Sequence, residues 1–476
     1  ESFYRKLFAP EGLKQRRREN MEAYPPQEEF MKMLPRMDNA DAHQFSIYWD
    51  GVYGKLPALP VDPELLTKKF IAEADPDAVV WLMGRAGSKQ TYYDNQSDFD
   101  NWKLVPRMMT GLQAYDSTVK FNLGKHSFTW PSPIAVAPVG VQARVAEKAD
   151  LVACVGAAQV GIPFIVSSVS STPLESISQH IKEANPDAPA PWFQLYNSSV
   201  PALSMSMLRR AKEAGYGAVV VTLDTVKYGY RTEELDAAYF PQADTRFKWC
   251  QMTWDPVFNA ILKEKLKCVA SEEFSENGKY PVDRLKANLM SLSLVGCSLG
   301  DKWTNDEVVS SDNNGYVTEE ATTGRENNTM KWFCKVVKDK LDLPLIMKGI
   351  MHPEDARLAL EHGADGIVVS NHGGRQVDGS ISTIEALPGI IKAVRQFADC
   401  RGEAERPVFL DSGVRYGQHV VKALALGATG VLVGRMPIIG ASLGGVDGVK
   451  HVLLSLSADM QCTMVNCGYD SISSLQ

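Results

Sequence analysis

The sequence predicts an α/β fold, a (β/α)8 barrel of the TIM type carrying an N-terminal arm, a helical cap and a long insertion after the fourth strand. Three observations predict it. Short apolar runs rich in β-branched residues recur eight times from position 133 onward. Helical stretches lie between them, the alternation of a parallel sheet wrapped in helices. No Gly-x-Gly-x-x-Gly follows an early run, which places a doubly wound open sheet second.

Residues 1–60 are rich in charge and proline and carry an aromatic patch at 45–53. They read as an arm that docks through its rings, on its own chain or on a neighbour. Residues 61–132 read as a helical cap leading into the barrel at 133–460. The strand runs are 134–137, 164–166, 192–195, 218–223, 344–347, 366–369, 408–410 and 430–433. Helices at 174–183, 202–214, 354–362, 383–397 and 418–426 separate them. The spacing breaks once: about 120 residues lie between the fourth run and the fifth, against roughly 20 to 40 elsewhere. The excess at 232–326, with Trp249, Trp254 and Trp303, reads as a lid or as a subunit-contact surface. Residues 461–476 read as a tail.

Composition excludes several classes of function. A net charge of -7, with 22% charged residues, argues against a nucleic-acid binder. The one basic run, at 14–18, reads as a solvated segment of the arm. The eight cysteines form no Cys-x-x-Cys pair and no metal-ligand spacing, so they read as free thiols in a reducing compartment, with no metal site. No apolar run approaches the roughly 18 residues of a membrane span. These features imply a cytoplasmic protein, or one in an organelle lumen if a targeting segment has been removed.

Chemistry concentrates in Ser-Asn-His-Gly-Gly-Arg-Gln at 370–376, directly after the sixth run. His372 and Arg375 set a titratable base beside a permanent cation. The pair suits an anionic substrate that must lose a proton, because a guanidinium can hold a carboxylate while an imidazole works on the adjacent carbon. The other strand ends carry matching residues. Pro138, Val139 and Gly140 make a small turn that would let a flat ring approach the backbone. Ser167, Gln194, Tyr196, Thr222, Asp224, Arg231 and Lys348 follow at strands two to five, and Ser370, which opens the strand-six motif, is expected among the cofactor contacts.

Two sub-sites separate on physical grounds. Gly413, Arg415, Gly434 and Arg435, which with Asp411 end strands seven and eight, have the makings of a phosphate site. Ser167, Gln194, Thr222 and Lys348 fit the polar rim of a ring better than a metal. A phosphate joined to a polar flat ring suggests FMN, with Lys348 at the edge that gains charge on reduction. A non-catalytic flavin-binding protein and a flavin-free, phosphate-binding barrel lyase are the alternatives.

The strand-six motif, Leu-Asp-Thr at 223–225 with Arg231, Leu-Pro-Leu-Ile-Met-Lys-Gly at 343–349 and Phe-Leu-Asp-Ser-Gly-Val-Arg at 409–415 together resemble the FMN-dependent L-2-hydroxy acid oxidase and dehydrogenase family. Trp-Asp-Pro-Val-Phe at 254–258 and Gly-Ala-Ser-Leu-Gly-Gly at 440–445 look most like its lactate 2-monooxygenase branch. The resemblance implies oxidation of a lactate-like or larger 2-hydroxy acid to the 2-oxo acid, with O2 as acceptor and with or without coupled decarboxylation. It also implies a homotetramer or homo-octamer. By the same resemblance His372 is the base, Asp224 its partner, Arg375 and Arg231 the carboxylate ligands, Tyr196 a contact of the substrate hydroxyl, and Lys348 a neighbour of the flavin. Two positions depart from the pattern: Trp81 stands where the family places a tyrosine on the substrate carboxylate, and Val169 where some oxidases place a tryptophan. Both imply a reshaped substrate pocket.

Overall fold

The computed structural model of the protein describes residues 39–112, 114–198, 200–241, 251–267 and 330–476. The basic run at 14–18, Trp249, Trp303 and most of the insertion at 232–326 lie outside the described residues.

Among the described residues, ten strands form two sheets. Strands β1 (Val119–Leu123) and β2 (His126–Trp130) make an antiparallel hairpin. The other eight are β3 (Ile134–Val136), β4 (Ile165–Ser167), β5 (Trp192–Leu195), β6 (Ala218–Thr222), β7 (Leu345–Ile350), β8 (Gly366–Val369), β9 (Val408–Leu410) and β10 (Gly430–Val433). They pair in parallel in the order β3-β10-β9-β8-β7-β6-β5-β4, and a Val136–Phe164 bridge brings the two ends together. The eight-stranded barrel is therefore as expected, with four strands at the expected limits and four displaced by one to three residues.

The strands are apolar because both of their faces are covered. Outward side chains pack under the surrounding helices. Inward ones, among them Ile165, Trp192, Val220, Ile346, Val368 and Phe409, fill the barrel. The hairpin β1-β2 closes one end of that interior, with Phe121, Phe128 and Trp130 in ring contact with Trp192. The expected cap at 61–132 is thus helical only in its first part, where Asp62 and Asp75 cap helices that each begin with proline (Pro63–Glu73 and Pro76–Met83).

Three further differences concern the boundaries. The aromatic patch lies on a helix, Asn39–Val52, that packs on its own chain: Trp49 is buried, His43 bonds Ser455, and Gln461 bonds Asp41, while Phe45 and Tyr48 face outward. The closing helix Arg435–Asn466, kinked at Gly444 and Gly445, runs through position 461, so the expected tail begins inside it. Within the expected lid, Gln251–Trp254 and Pro256–Lys267 pack against the barrel flank. Gln251 bonds the backbone of Leu174, and Arg210 pairs with buried Asp255.

Candidate active site

The C-terminal ends of the barrel strands open into a cavity of about 450 Å3. Nearly every residue that the sequence placed at a strand end lines it: Pro138, Val139, Gly140, Ser167, Val169, Gln194, Tyr196, Thr222, Arg231, Lys348, His372, Arg375, Asp411, Gly413, Arg415, Gly434 and Arg435, together with Trp81 from the cap. Asp224 and Ser370 lie one layer behind.

His372 is held in the left-handed backbone region (φ 59°), a conformation uncommon for a side-chain-bearing residue and concentrated at functional sites. Its amide donates to Ser370 Oγ (3.1 Å). Nδ1 lies 2.6 Å from Asp224 Oδ1, and Nε2 lies 3.3 Å from the Tyr196 hydroxyl. This arrangement assigns the ring proton to Nδ1 and leaves the Nε2 lone pair toward the cavity. Burial lowers the His372 pKa from its ordinary value against the pull of Asp224. Burial alone would raise that of Asp224, but His372 and Lys348 hold it well below the usual carboxylate range.

Lys348 enters at a register shift in β7. It is 4% exposed, and its ammonium donates to Ser370 Oγ (2.8 Å) between Asp411 (3.3 Å) and Asp224 (3.5 Å). Burial pulls its pKa down, yet the two carboxylates outweigh burial and raise it. Ser370 was expected to touch the cofactor. It is instead fully buried below the cavity, where one hydroxyl aligns both the lysine and the His372 backbone.

The loops after the strands brace one another. Ser412 Oγ accepts from the Gly373 amide, and Asn95 and Asn371 exchange amide hydrogen bonds of 2.7 and 2.8 Å that tie the cap helix Gln90–Ser97 to the histidine loop. Gly140 lines the cavity, and its lack of a side chain also admits the neighbouring loop, since a Cβ there would meet Val169 Cγ2 at 2.2 Å. Gly413 likewise abuts the Asn95 carbonyl.

Arg375 donates to the carbonyls of Trp81 (2.9 Å) and Gly84 (2.7 Å) and lies 4.7 Å from the Trp81 ring centroid. Arg231, 4% exposed, donates to the Tyr228 hydroxyl (2.8 Å), to Glu234 (3.1 Å) and to Gln376 (3.2 Å). Burial and Arg231 pull the Arg375 pKa down to about 10; burial and Arg375 pull that of Arg435 down to about 9. Such depressions record crowded positive charge short of anions. Arg435, expected on a phosphate, lines the cavity and also donates to the carbonyls of Leu82, Gly373 and Gly84, which ties the cap to the barrel. Arg415 and the backbone of Gly434 line the same end of the cavity. Tyr228, Glu234 and Phe240 were not anticipated. The i,i+3 spacing of Arg231 and Glu234 was the available signal.

The cavity fits FMN on its donor set. Gln194 donates to Thr222 Oγ1 (2.9 Å) and accepts from Ser167 Oγ (3.1 Å), which fixes a polar edge; Lys348 supplies a buried cation, and Arg415 a positive far end.

Comparison with known proteins agrees with this geometry. The model of a family described as FMN-dependent dehydrogenase matches residues 72–476. The FMN-dependent alpha-hydroxy acid dehydrogenase qulF of Penicillium citrinum is 35% identical over 429 residues, 89% of this chain and 91% of that protein. An L-lactate oxidase of Lysinibacillus sphaericus is 33% identical over 86% of this chain and 90% of its own. Among solved structures, a mandelate oxidase superposes with a TM-score of 0.64 at 26% identity, covering 87% of this chain and 97% of that one.

Proposed function

The chain belongs to the FMN-dependent dehydrogenase family, and from that premise we propose how its residues carry the reaction. It is an FMN-dependent oxidoreductase that oxidises a 2-hydroxy acid. The observation that carries the assignment of roles is the His372–Asp224 pair of 2.6 Å, with Nε2, 3.3 Å from the Tyr196 hydroxyl, facing the same cavity as Arg231 and Arg375. The two guanidiniums hold the substrate carboxylate, each charged hydrogen bond contributing on the order of 1.5 to 3 kcal/mol. Tyr196, its pKa pushed up to about 12 by burial and Asp224, stays a neutral phenol and orients the α-hydroxyl. His372 Nε2 accepts the hydroxyl proton, and Asp224 stabilises the imidazolium that results. FMN would be held by Ser167, Gln194, Thr222, Lys348, Arg415, Gly434 and Arg435, and would supply the two-electron acceptor for the hydrogen that leaves the α-carbon as hydride. We take O2 as the final acceptor, on the strength of the oxidase relatives.

The test is anaerobic mixing of the yellow protein with L-2-hydroxy acids, from glycolate to branched and aromatic members, followed at the flavin band near about 450 nm. Bleaching by at least one member is expected; a flavin that no member bleaches would contradict the reading.

The lowered pKa of His372 fixes a pH dependence. The base works in its neutral form, and its pKa lies below the ordinary 6.5 because burial disfavours the cation. Flavin reduction should therefore lose half of its rate only below pH 6.5. An inflection above that value would contradict the assignment.

Trp81 makes a second prediction. Its indole Nε1 is buried without a hydrogen-bond partner among the described residues, and the ring lies against Arg375. We assign that N–H to the substrate carboxylate. Trp81→Phe keeps the ring and removes the donor, so the KM should rise roughly tenfold with little change in the reduction rate constant.

A further inference from the structure

The arginine pair that receives the carboxylate already holds one. Glu234, 4% exposed, places Oε1 3.1 Å from Arg231 Nη1 and 3.4 Å from Arg375 Nη2, while its Oε2 accepts from the Tyr228 hydroxyl at 2.8 Å. The cap makes room for it: a Cβ at Gly84 would lie 2.9 Å from Glu234 Oε1. Two cations and one resident anion leave a single positive charge. One substrate carboxylate brings the group to neutrality.

No other described cation is placed to receive a second carboxylate. Lys348 is matched by Asp224 and Asp411, and Arg415 and Arg435 stand where the FMN phosphate is expected, Arg435 with three of its N–H groups already on backbone carbonyls. The rest of the substrate end is Trp81, Val169, Tyr228 and Phe240. An extra carboxylate there would lose its hydration with no countercharge in return.

Resting on the reading that Arg231 and Arg375 bind the substrate carboxylate, we infer that Glu234 sets the charge of this site so that it admits singly charged 2-hydroxy acids with uncharged side chains and rejects 2-hydroxy dicarboxylates. Glu234 is thus a specificity residue that acts through the arginines. It discriminates by repelling the wrong substrate as much as by fitting the right one.

The test uses two ligands of one shape, oxalate (a dianion) and oxamate (its monoanionic amide), titrated into the FMN-loaded protein by flavin difference absorbance. Glu234→Gln should lower the ratio of Kd for oxalate to Kd for oxamate by about tenfold or more relative to the parent. Arg231→Gln shifts the charge count the opposite way and should raise that ratio. It decides the matter alone if Glu234→Gln fails to fold. An unchanged ratio in a folded variant overturns the inference, since a merely structural Glu234 would alter both ligands alike. If neither ligand binds the parent, or Arg231→Gln leaves both Kd values unaltered, the carboxylate reading itself fails, which is a separate outcome.

Discussion

Replacing His372 by Gln is expected to slow anaerobic flavin reduction by about 100- to 10,000-fold while the protein stays yellow and still binds oxamate. The size follows from what the ring does. Its Nε2 is the one neutral imidazole nitrogen on the cavity among the described residues, and Asp224 behind it, 2.6 Å from Nδ1, stabilises the charge the ring acquires. Gln can donate to Asp224 but cannot accept a proton at neutral pH. Binding should survive because the arginines are anchored elsewhere, Arg375 on the carbonyls of Trp81 and Gly84 and Arg231 on Tyr228, Glu234 and Gln376. A variant that reduces its flavin within about tenfold of the parent rate would remove His372 from the role of base.

The barrel was legible because its strands are buried on both faces and read as unbroken apolar runs, from Ala218–Thr222 to Gly430–Val433. The helix Ala149–Gln159 was not. Its small residues let Gly156 sit against Val449 of the closing helix, so it has no wide polar face and no clear period. The hairpin escaped notice because it belongs to no alternation; only the long-range contacts of Phe121, Phe128 and Trp130 with Trp192 explain it. At the site, residue types reported which groups would meet but not their order in depth. Sequence placed Ser370 with the cofactor contacts, whereas the turn of the chain after β8 buries it beneath Lys348. The i,i+3 spacing signals the Arg231–Glu234 pair but not that Glu234 also reaches Arg375. That depends on how a short helix, Thr232–Asp236, is set against the cap.

The second large effect is expected at Lys348. Methionine nearly matches the lysine stem in shape, so Lys348→Met removes a charge with little loss of packing. Asp224 and Asp411 then face each other's field with no buried ammonium between them. Breaking a buried pair from one side typically costs about 3 to 5 kcal/mol, because the remaining charge is left uncompensated. The variant should melt at lower temperature and lose FMN on dilution. A sign can be assigned to its pH response. A depressed carboxylate pKa contributes stability that is present above the unfolded value and lost as pH falls through the folded one. Lys348 is the second of the two cations that depress Asp224, after His372. Its removal brings the folded value of Asp224 nearer the unfolded one, so the acid-unfolding midpoint should move to higher pH. Retained flavin, an unchanged acid midpoint and a parental reduction rate in Lys348→Met would show that the two carboxylates are balanced by something other than this lysine. The role assigned to its neighbour Asp224 in holding the His372 cation would then need a different electrostatic source.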